Sequence, residues 1–310
     1  MKFHKEILAT LAYFEIFNYP VTSFELFQFL QVSCNYSDLC KTLHILVDEK
    51  IIFRFEEFYC LHYDENMIIR RRERNQKAKT LLKTADNAAG ILYNFPFVKG
   101  IGVSGSLSKN CADEHDDIDF FLIIEKNRLW LTRTILHIFK KLTFLVKKEH
   151  FFCMNYLVDE EALEIEEKNI YTATETVTVL PFRGKEAFER FYASNSWANK
   201  YLPNHVLRVS HINEKKSYPF KKAMEWLLRN PVSNLLEKPL MNITARRWAQ
   251  KTLKGATNSH GQPMSIKASK HCCKPDPIHL HNRILFLYDK KLSEVLSAAH
   301  ELTEVEDLKF

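Results

Sequence analysis

The chain has 310 residues, of which 46% are hydrophobic and 26% charged, a balance that excludes a disordered or fibrous protein and allows two or three domains. No apolar run is long enough to span a membrane, and the N-terminus lacks the apolar segment of a signal peptide. The net charge of +6 is too small to indicate nucleic-acid binding by itself, and seven cysteines without regular spacing indicate reduced thiols in a cytoplasmic protein.

Residues 1–63 are predicted to form three helices and a hairpin. Apolar residues recur at helical spacing, and Pro20 ends the first helix because the residue before a proline is pushed out of the α region. The third helix is predicted over 37–50, and short strands follow over 51–55 and 58–61. This order of elements is that of a winged helix-turn-helix.

DNA recognition is one interpretation of that N-terminal segment, through its third helix. The helix offers Lys41, Thr42 and His44 but no arginine, and the predicted wing carries two glutamates beside Arg54. Because phosphate contacts drive such binding, a structural or partner-binding module is favoured over a DNA-binding one.

A charged helical connector over 64–94 is predicted to lead into a small mixed sheet covered by helices, over 95–203. Apolar runs of strand length lie at 95–103 and 118–124. An amphipathic helix over 129–146 and a third strand over 151–158 follow them. The predicted fold is therefore α+β.

Residues 204–310 are predicted to form a helical region, with helices near 219–229, 233–253 and 281–301. The stretch 254–280 contains several glycines and prolines and is predicted to be a flexible loop. Five possible zinc ligands lie within residues 271–281, but adjacent cysteines rarely bind one ion, so incidental thiols are favoured. These residues are His271, Cys272, Cys273, His279 and His281.

Paired carboxylates and a glycine–serine turn stand close together in the predicted sheet. Asp117 and Asp119 flank the start of an apolar run, and alternate side chains of a strand point to the same face. Two adjacent carboxylates repel each other unless a cation neutralises them, and Mg²⁺ prefers such oxygen ligands. The pair therefore predicts a metal site.

The turn before the aspartates is suited to phosphate. Gly105 has no Cβ, so a phosphate can approach the backbone, and Ser106 adds a hydroxyl donor. A helix beginning near Leu107 would direct free N–H groups at an anion, and Lys109 is a further candidate phosphate contact. Together with the aspartates, this turn indicates a site for a metal-bound triphosphate, whose chemistry is in-line displacement at phosphorus.

Gly105-Ser106 and, after ten intervening residues, Asp117-Ile118-Asp119-Phe120 resemble the signature of DNA polymerase β-like nucleotidyltransferases. The resemblance covers residues 96–160, and with a winged helix ahead the chain is similar to a bacterial group of that superfamily. It implies transfer of a nucleoside monophosphate from an NTP, with ATP expected, to an acceptor that is a protein, an RNA or a small molecule. It also implies that the aspartates hold Mg²⁺ or Mn²⁺, and that Gly105 and Ser106 hold the β- and γ-phosphates.

Two positions depart from the family pattern. Ser104 precedes the turn where the family has an apolar residue. Family members often bring a third carboxylate from a later strand, and the matching position here is Asn155, a weak metal ligand that cannot act as a general base. Asp159 at the end of that strand and the more remote Glu175 are the alternative acids.

The densest basic run belongs to the connector, where a solvated helix face is the default interpretation and contact with the nucleotide or a polyanionic acceptor the alternative. Its members are Arg70, Arg71, Arg72, Arg74, Lys77, Lys79 and Lys83.

Three functions stay open at this point: a nucleotidyltransferase, a non-catalytic NTP-binding sensor or interaction protein, and a DNA-binding regulator. The Asp-x-Asp motif of glycosyltransferases fits less well, since it needs no glycine–serine turn.

Overall fold

The computed structural model describes residues 3–113, 116–143, 145, 149–209, 212, 218–257, 263–277 and 280–307. Within these ranges the chain is a mixed α+β structure with eleven α-helices and two sheets. None of the helices in this described part is both long and apolar enough to cross a membrane.

The N-terminal part contains three helices and a small antiparallel sheet in the order β1-β3-β2. The second helix begins with a capping box, in which Thr22 and Glu25 each accept the other's backbone N–H through their side chains. The elements are α1 (His4–Glu15), β1 (Val21–Thr22), α2 (Ser23–Phe29), α3 (Tyr36–Asp48), β2 (Phe53–Phe55) and β3 (Phe58–Cys60).

A long helix, α4 (Glu65–Leu92), coincides with the predicted connector and leads to the central sheet. The sheet order is β7-β4-β5-β6-β9-β8, and only the β5–β6 pair is parallel. Its first part comprises β4 (Val98–Val103), α5 (Gly105–Ser108), β5 (Asp119–Ile124), α6 (Leu129–Thr143), β6 (Cys153–Asp159), α7 (Ile170–Thr178), β7 (Leu180–Arg183) and α8 (Lys185–Ser194).

The C-terminal region is not wholly helical, because a hairpin extends the central sheet. The prediction of a loop is wrong for β8 and β9, which pair with each other, while β9 also pairs with β6 through Cys272 and Cys273. The predicted ligand His279 lies outside the described residues. The elements are α9 (Pro219–Leu228), α10 (Pro231–Leu253), β8 (Met264–Ala268), β9 (Cys272–Pro277) and α11 (Leu280–Asp307).

Both faces of β5 are buried, in two separate apolar clusters. Phe120, Leu122 and Ile124 pack with residues of α4 and α6. Phe121 and Ile123 pack on the other face, with residues of α8. The alternation of a strand therefore sends successive residues to opposite cores and fixes the direction of Asp119 at the strand's first position.

Candidate functional site

The end of β4 and the start of β5 meet at one edge of the central sheet because the two strands are antiparallel. Val103 pairs with Phe120, and the Ser104 N–H donates to the Asp119 carbonyl at 2.9 Å. The predicted glycine–serine turn and the predicted aspartate therefore lie side by side.

Gly105 lies directly against the Asp119 carboxylate. Its φ is +70°, in the left-handed region that favours glycine, and a Cβ at this position would lie 3.3 Å from Asp119 Oδ2. The glycine therefore serves two purposes, since it permits the turn and leaves space beside the carboxylate.

The turn contains a single helical turn, α5, which begins at Gly105 and ends at Ser108. The Ser106 hydroxyl lies 3.5 Å from Asp116 Oδ2, the oxygen that accepts the Asp113 N–H at 2.8 Å. A helix starting near Leu107 was expected; the observed one starts two residues earlier and is too short for a full macrodipole. Phosphate binding here would depend on individual backbone N–H groups.

The two predicted metal ligands differ in exposure: Asp117 is exposed and Asp119 half-buried. Burial, and after it the charge of Asp117, raise the pKa of the Asp119 carboxyl to about 7, against the opposing effect of a hydrogen bond with Cys153. A carboxyl of this kind is partly protonated near neutral pH, and a bound divalent cation would favour its charged form.

Lys109 and Glu175 form an ion pair beside the turn. The Lys109 ammonium lies 2.7 Å from Glu175 Oε1 and donates to the Gly105 carbonyl at 3.2 Å. The charge of Glu175 also contributes to the raised pKa of Asp119. Glu175, the remote candidate in the sequence, is therefore a near neighbour of the site, brought there by α7.

The parallel pairing of β5 and β6 decides which residue lies opposite Asp119. Cys153 occupies that position, and the register then shifts by one residue, so that Asn155 is the unpaired residue of a bulge. Burial, followed by the charge of Asp119, raises the pKa of the Cys153 thiol to about 12, so the thiol stays protonated and can donate to the carboxylate. A metal-binding role for Asn155 stays a prediction, and the contact with Cys153 was not foreseen.

Asp159 does not belong to this site. It pairs with Ile124 at the far end of β5, five positions from Asp119, which is on the order of 17 Å at the rise of a strand. The alternative of Asp159 as the third carboxylate is therefore wrong. Alternation along β6 shows which residues share a face of the sheet, but it does not place them at the same end of the strand.

Three arginines of the connector's basic run form ion pairs with other segments of the protein. Arg71 contacts Glu25, Arg72 contacts Glu56, and Arg74 contacts Asp113 in the loop that leads to Asp117. These three arginines therefore join α4 to its neighbours, whereas the rest of the run is exposed, as a solvated face predicts: Arg70, Lys77, Lys79 and Lys83.

A comparison of the chain with protein-family models, with curated proteins and with solved structures finds no match. The geometry of the turn and the aspartates is therefore the basis for inferring a function.

Proposed function

We propose that the chain is a Mg²⁺-dependent nucleotidyltransferase that moves a nucleoside monophosphate from an NTP, with ATP expected, to an acceptor. The observation that supports it most is the contact between Gly105 and Asp119. It brings two carboxylates whose charges repel each other next to a turn where the missing Cβ leaves space for a phosphate. The proposal takes the central sheet as a polymerase β-like core and the N-terminal part as a winged helix.

Asp117 and Asp119 would hold Mg²⁺ or Mn²⁺, which prefer carboxylate and phosphate oxygens. The backbone of Gly105 and Ser106 would bind the β- and γ-phosphates. An acceptor oxygen would attack the α-phosphorus, the bond to the bridging oxygen of the β-phosphate would break, and pyrophosphate would leave with the metal stabilising both oxygens. Asn155 keeps its predicted place as an uncertain metal ligand.

Lys109 and Glu175 would separate when the nucleotide binds. The Lys109 ammonium, now 2.7 Å from the Glu175 carboxylate, would turn to a phosphate oxygen. The released Glu175 would then be the third carboxylate of the site and accept the proton of the acceptor hydroxyl. This assignment replaces Asp159, which lies at the other end of the sheet.

Binding of MgATP to the full chain tests the site. We expect Asp117→Asn and Asp119→Asn to weaken binding at least tenfold, while Asp289→Asn, an exposed acid on α11, leaves it unchanged. Calorimetry gives the affinity, and ATP labelled at the α-phosphate shows transfer to protein, RNA and small hydroxyl acceptors. Unchanged affinity in Asp119→Asn would overturn the assignment.

A non-catalytic NTP-binding sensor or interaction protein is the second candidate, and one observation favours it. The position opposite Asp119 is a protonated thiol and not a carboxylate, while Glu175 is held by Lys109. Tight MgATP binding, lost in Asp119→Asn, without labelled product from any acceptor would support the sensor over the enzyme.

A DNA-binding regulator is the weakest of the three functions. On α3, Lys41 and His44 are exposed, but Thr42 is buried and donates to the Asp38 carbonyl at 3.0 Å. The two glutamates of the predicted wing pair with Arg72, so the charge of this arginine is compensated within the protein and is not free for a phosphate. Duplex binding that depends on salt and survives loss of both aspartates would support this function.

A further inference from the structure

A second group of possible metal ligands lies at the opposite end of the central sheet from Asp119. Asp159 ends β6, Glu161 lies two residues beyond it, and His271 directly precedes β9. One ligand atom from each residue lies within 4.8 Å of the others. The sequence favours a loop with incidental thiols around His271, and that interpretation does not account for the convergence of the three ligand atoms.

The backbone around the cluster is fixed by hydrogen bonds. The Asp159 N–H donates to the His271 carbonyl at 3.1 Å, which continues the pairing of β6 with β9. The Glu161 N–H donates to Asp159 Oδ1 at 3.0 Å, so the turn after β6 is held as well. The three ligands are therefore preorganised, as binding of a small cation requires.

The Asp159 carboxylate is buried, and it contacts the His271 imidazole and accepts the Glu161 N–H. Its side chain is 0% exposed, and its side-chain partner among the described residues is the His271 imidazole, whose Nδ1 lies 2.9 Å from Oδ2. No lysine or arginine in the described part of the chain forms an ion pair with it. Burial raises the pKa of nearby Glu237, and the charge of Asp159 adds to that shift. A buried carboxylate among other acids calls for a positive charge.

One imidazole nitrogen and two carboxylate oxygens suit a first-row transition metal better than Mg²⁺ or Ca²⁺. Tetrahedral Zn²⁺ with bonds of about 2.0 Å separates its ligands by about 3.3 Å, close to the spacing of the Asp159 and His271 atoms. The neighbouring thiols have other partners, since Cys272 bonds with Tyr156, and Cys273 accepts from Arg133 at 3.1 Å.

A cavity of about 700 Å³ is lined in part by Glu237 and by Lys270, and none of the three cluster residues lines it. Lys270 directly precedes His271, and its ammonium lies 3.5 Å from Glu161. Three protein ligands leave a coordination position for water or for a small anionic molecule.

We propose that Asp159, Glu161 and His271 bind one divalent transition-metal ion, with Zn²⁺ favoured, at a site separate from Asp117 and Asp119. The ion would fasten the β8–β9 hairpin to β6 and keep an open coordination position.

Titration of the metal-free full chain with Co²⁺ and Zn²⁺ tests this site. We expect one metal ion to bind per chain. The absorption spectrum of bound Co²⁺ should indicate oxygen and nitrogen ligands and should lack a thiolate charge-transfer band. His271→Gln and Glu161→Gln should each weaken binding at least tenfold, and Glu161 is exposed enough for its variant to fold. Folding of each variant is checked by circular dichroism.

Two matched variants separate this site from the others. Binding should persist in Asp119→Asn, which removes the proposed nucleotide site, and in Cys272→Ser, which removes the nearest thiol. Loss of the equivalent in Cys272→Ser, a thiolate band with Co²⁺, or undiminished binding in the folded Glu161→Gln protein would overturn the proposal. Failure of MgATP binding alone would not affect it.

Discussion

The Asp119 carboxyl is held in surroundings that favour its neutral form, because burial and the charge of Asp117 raise its pKa to about 7. Between pH 4 and 7 the folded protein therefore keeps a proton that the unfolded chain has lost. This group's contribution to the free energy of unfolding is present below pH 4 and is lost as the pH rises through 7.

Asp119→Asn should remove that pH dependence. Relative to the wild type, the variant should gain stability between pH 5 and 8, by at most about 3 kcal/mol, because the folded protein keeps the extra proton over about two pH units of this interval. Urea denaturation at the two pH values measures it. Asp117→Asn should give an intermediate dependence of the free energy of unfolding on pH, since the charge of Asp117 is only the second cause of the raised pKa of Asp119. If the free energy of unfolding depends on pH equally in the wild type and in Asp119→Asn, the raised pKa assigned to Asp119 is contradicted.

Gly105 and Gly255 provide a matched pair for the turn. Both have positive φ, +70° and +73°, but a Cβ at Gly105 would approach Asp119 whereas one at Gly255 would meet nothing within 4 Å. Alanine should cost about 1 kcal/mol at each position through backbone strain. Only Gly105→Ala should also weaken MgATP binding. Denaturation and calorimetry give both quantities, and equal effects on binding would argue against a role for the turn.

The first turn of α6 depends on a residue from another helix. Glu237 of α10 accepts the Trp130 N–H at 2.8 Å and the Leu131 N–H at 2.9 Å, so its carboxylate caps the start of α6. Glu237→Ala should lower the free energy of unfolding by about 1–2 kcal/mol through loss of these bonds. The neighbouring exposed Lys238→Ala is the control in the same urea experiment. Equal small effects would show that water replaces the cap.

Elements with a local sequence pattern were predictable from the sequence. Elements that form only by pairing with a distant segment of the chain were not. Helix α4 and the three C-terminal helices coincide with segments that the sequence predicts to be helical. The strand β9, with the sequence CCKPDP, has no apolar alternation and two prolines, so its extension comes from pairing with β6. Such non-local pairing overrides local preference.

The same distinction holds within the candidate site. Gly105 and Asp119 were predictable because an antiparallel pair with a short connection returns the chain to the same edge. Cys153 and Glu175 reach the site through a parallel strand register and through packing of α7, which the sequence does not specify. The bulge at Asn155 moves the expected third position by one residue.

Across the whole molecule, the N-terminal part shares its core with later segments. Its buried cluster includes Ile170, Ala173 and Val177 of α7 and Tyr288 of α11. The Tyr19 hydroxyl lies 2.7 Å from the Lys109 carbonyl in the candidate phosphate turn. The N-terminal part is therefore in contact with the proposed site.

Arg71 is the charged residue that this contact depends on most. It is buried, lies 2.6 Å from Glu25 Oε1, donates to the Pro20 carbonyl and stacks over the Tyr19 ring at 3.6 Å. Arg71→Met would leave the Glu25 carboxylate beside the buried Tyr19 without its cation. We therefore expect a loss of about 3–5 kcal/mol in the free energy of unfolding.

The adjacent Arg70 supplies the control, since it forms an exposed ion pair with Asp64. Arg70→Met should change the free energy of unfolding by less than about 1 kcal/mol, as expected of a surface pair. Both variants are compared by urea denaturation, with MgATP affinity measured on the folded fraction. If Arg71→Met lowers the free energy of unfolding as little as Arg70→Met, the buried ion pair does not hold α4 to the N-terminal part. The remaining charge of Glu25 would then be solvated in the folded protein.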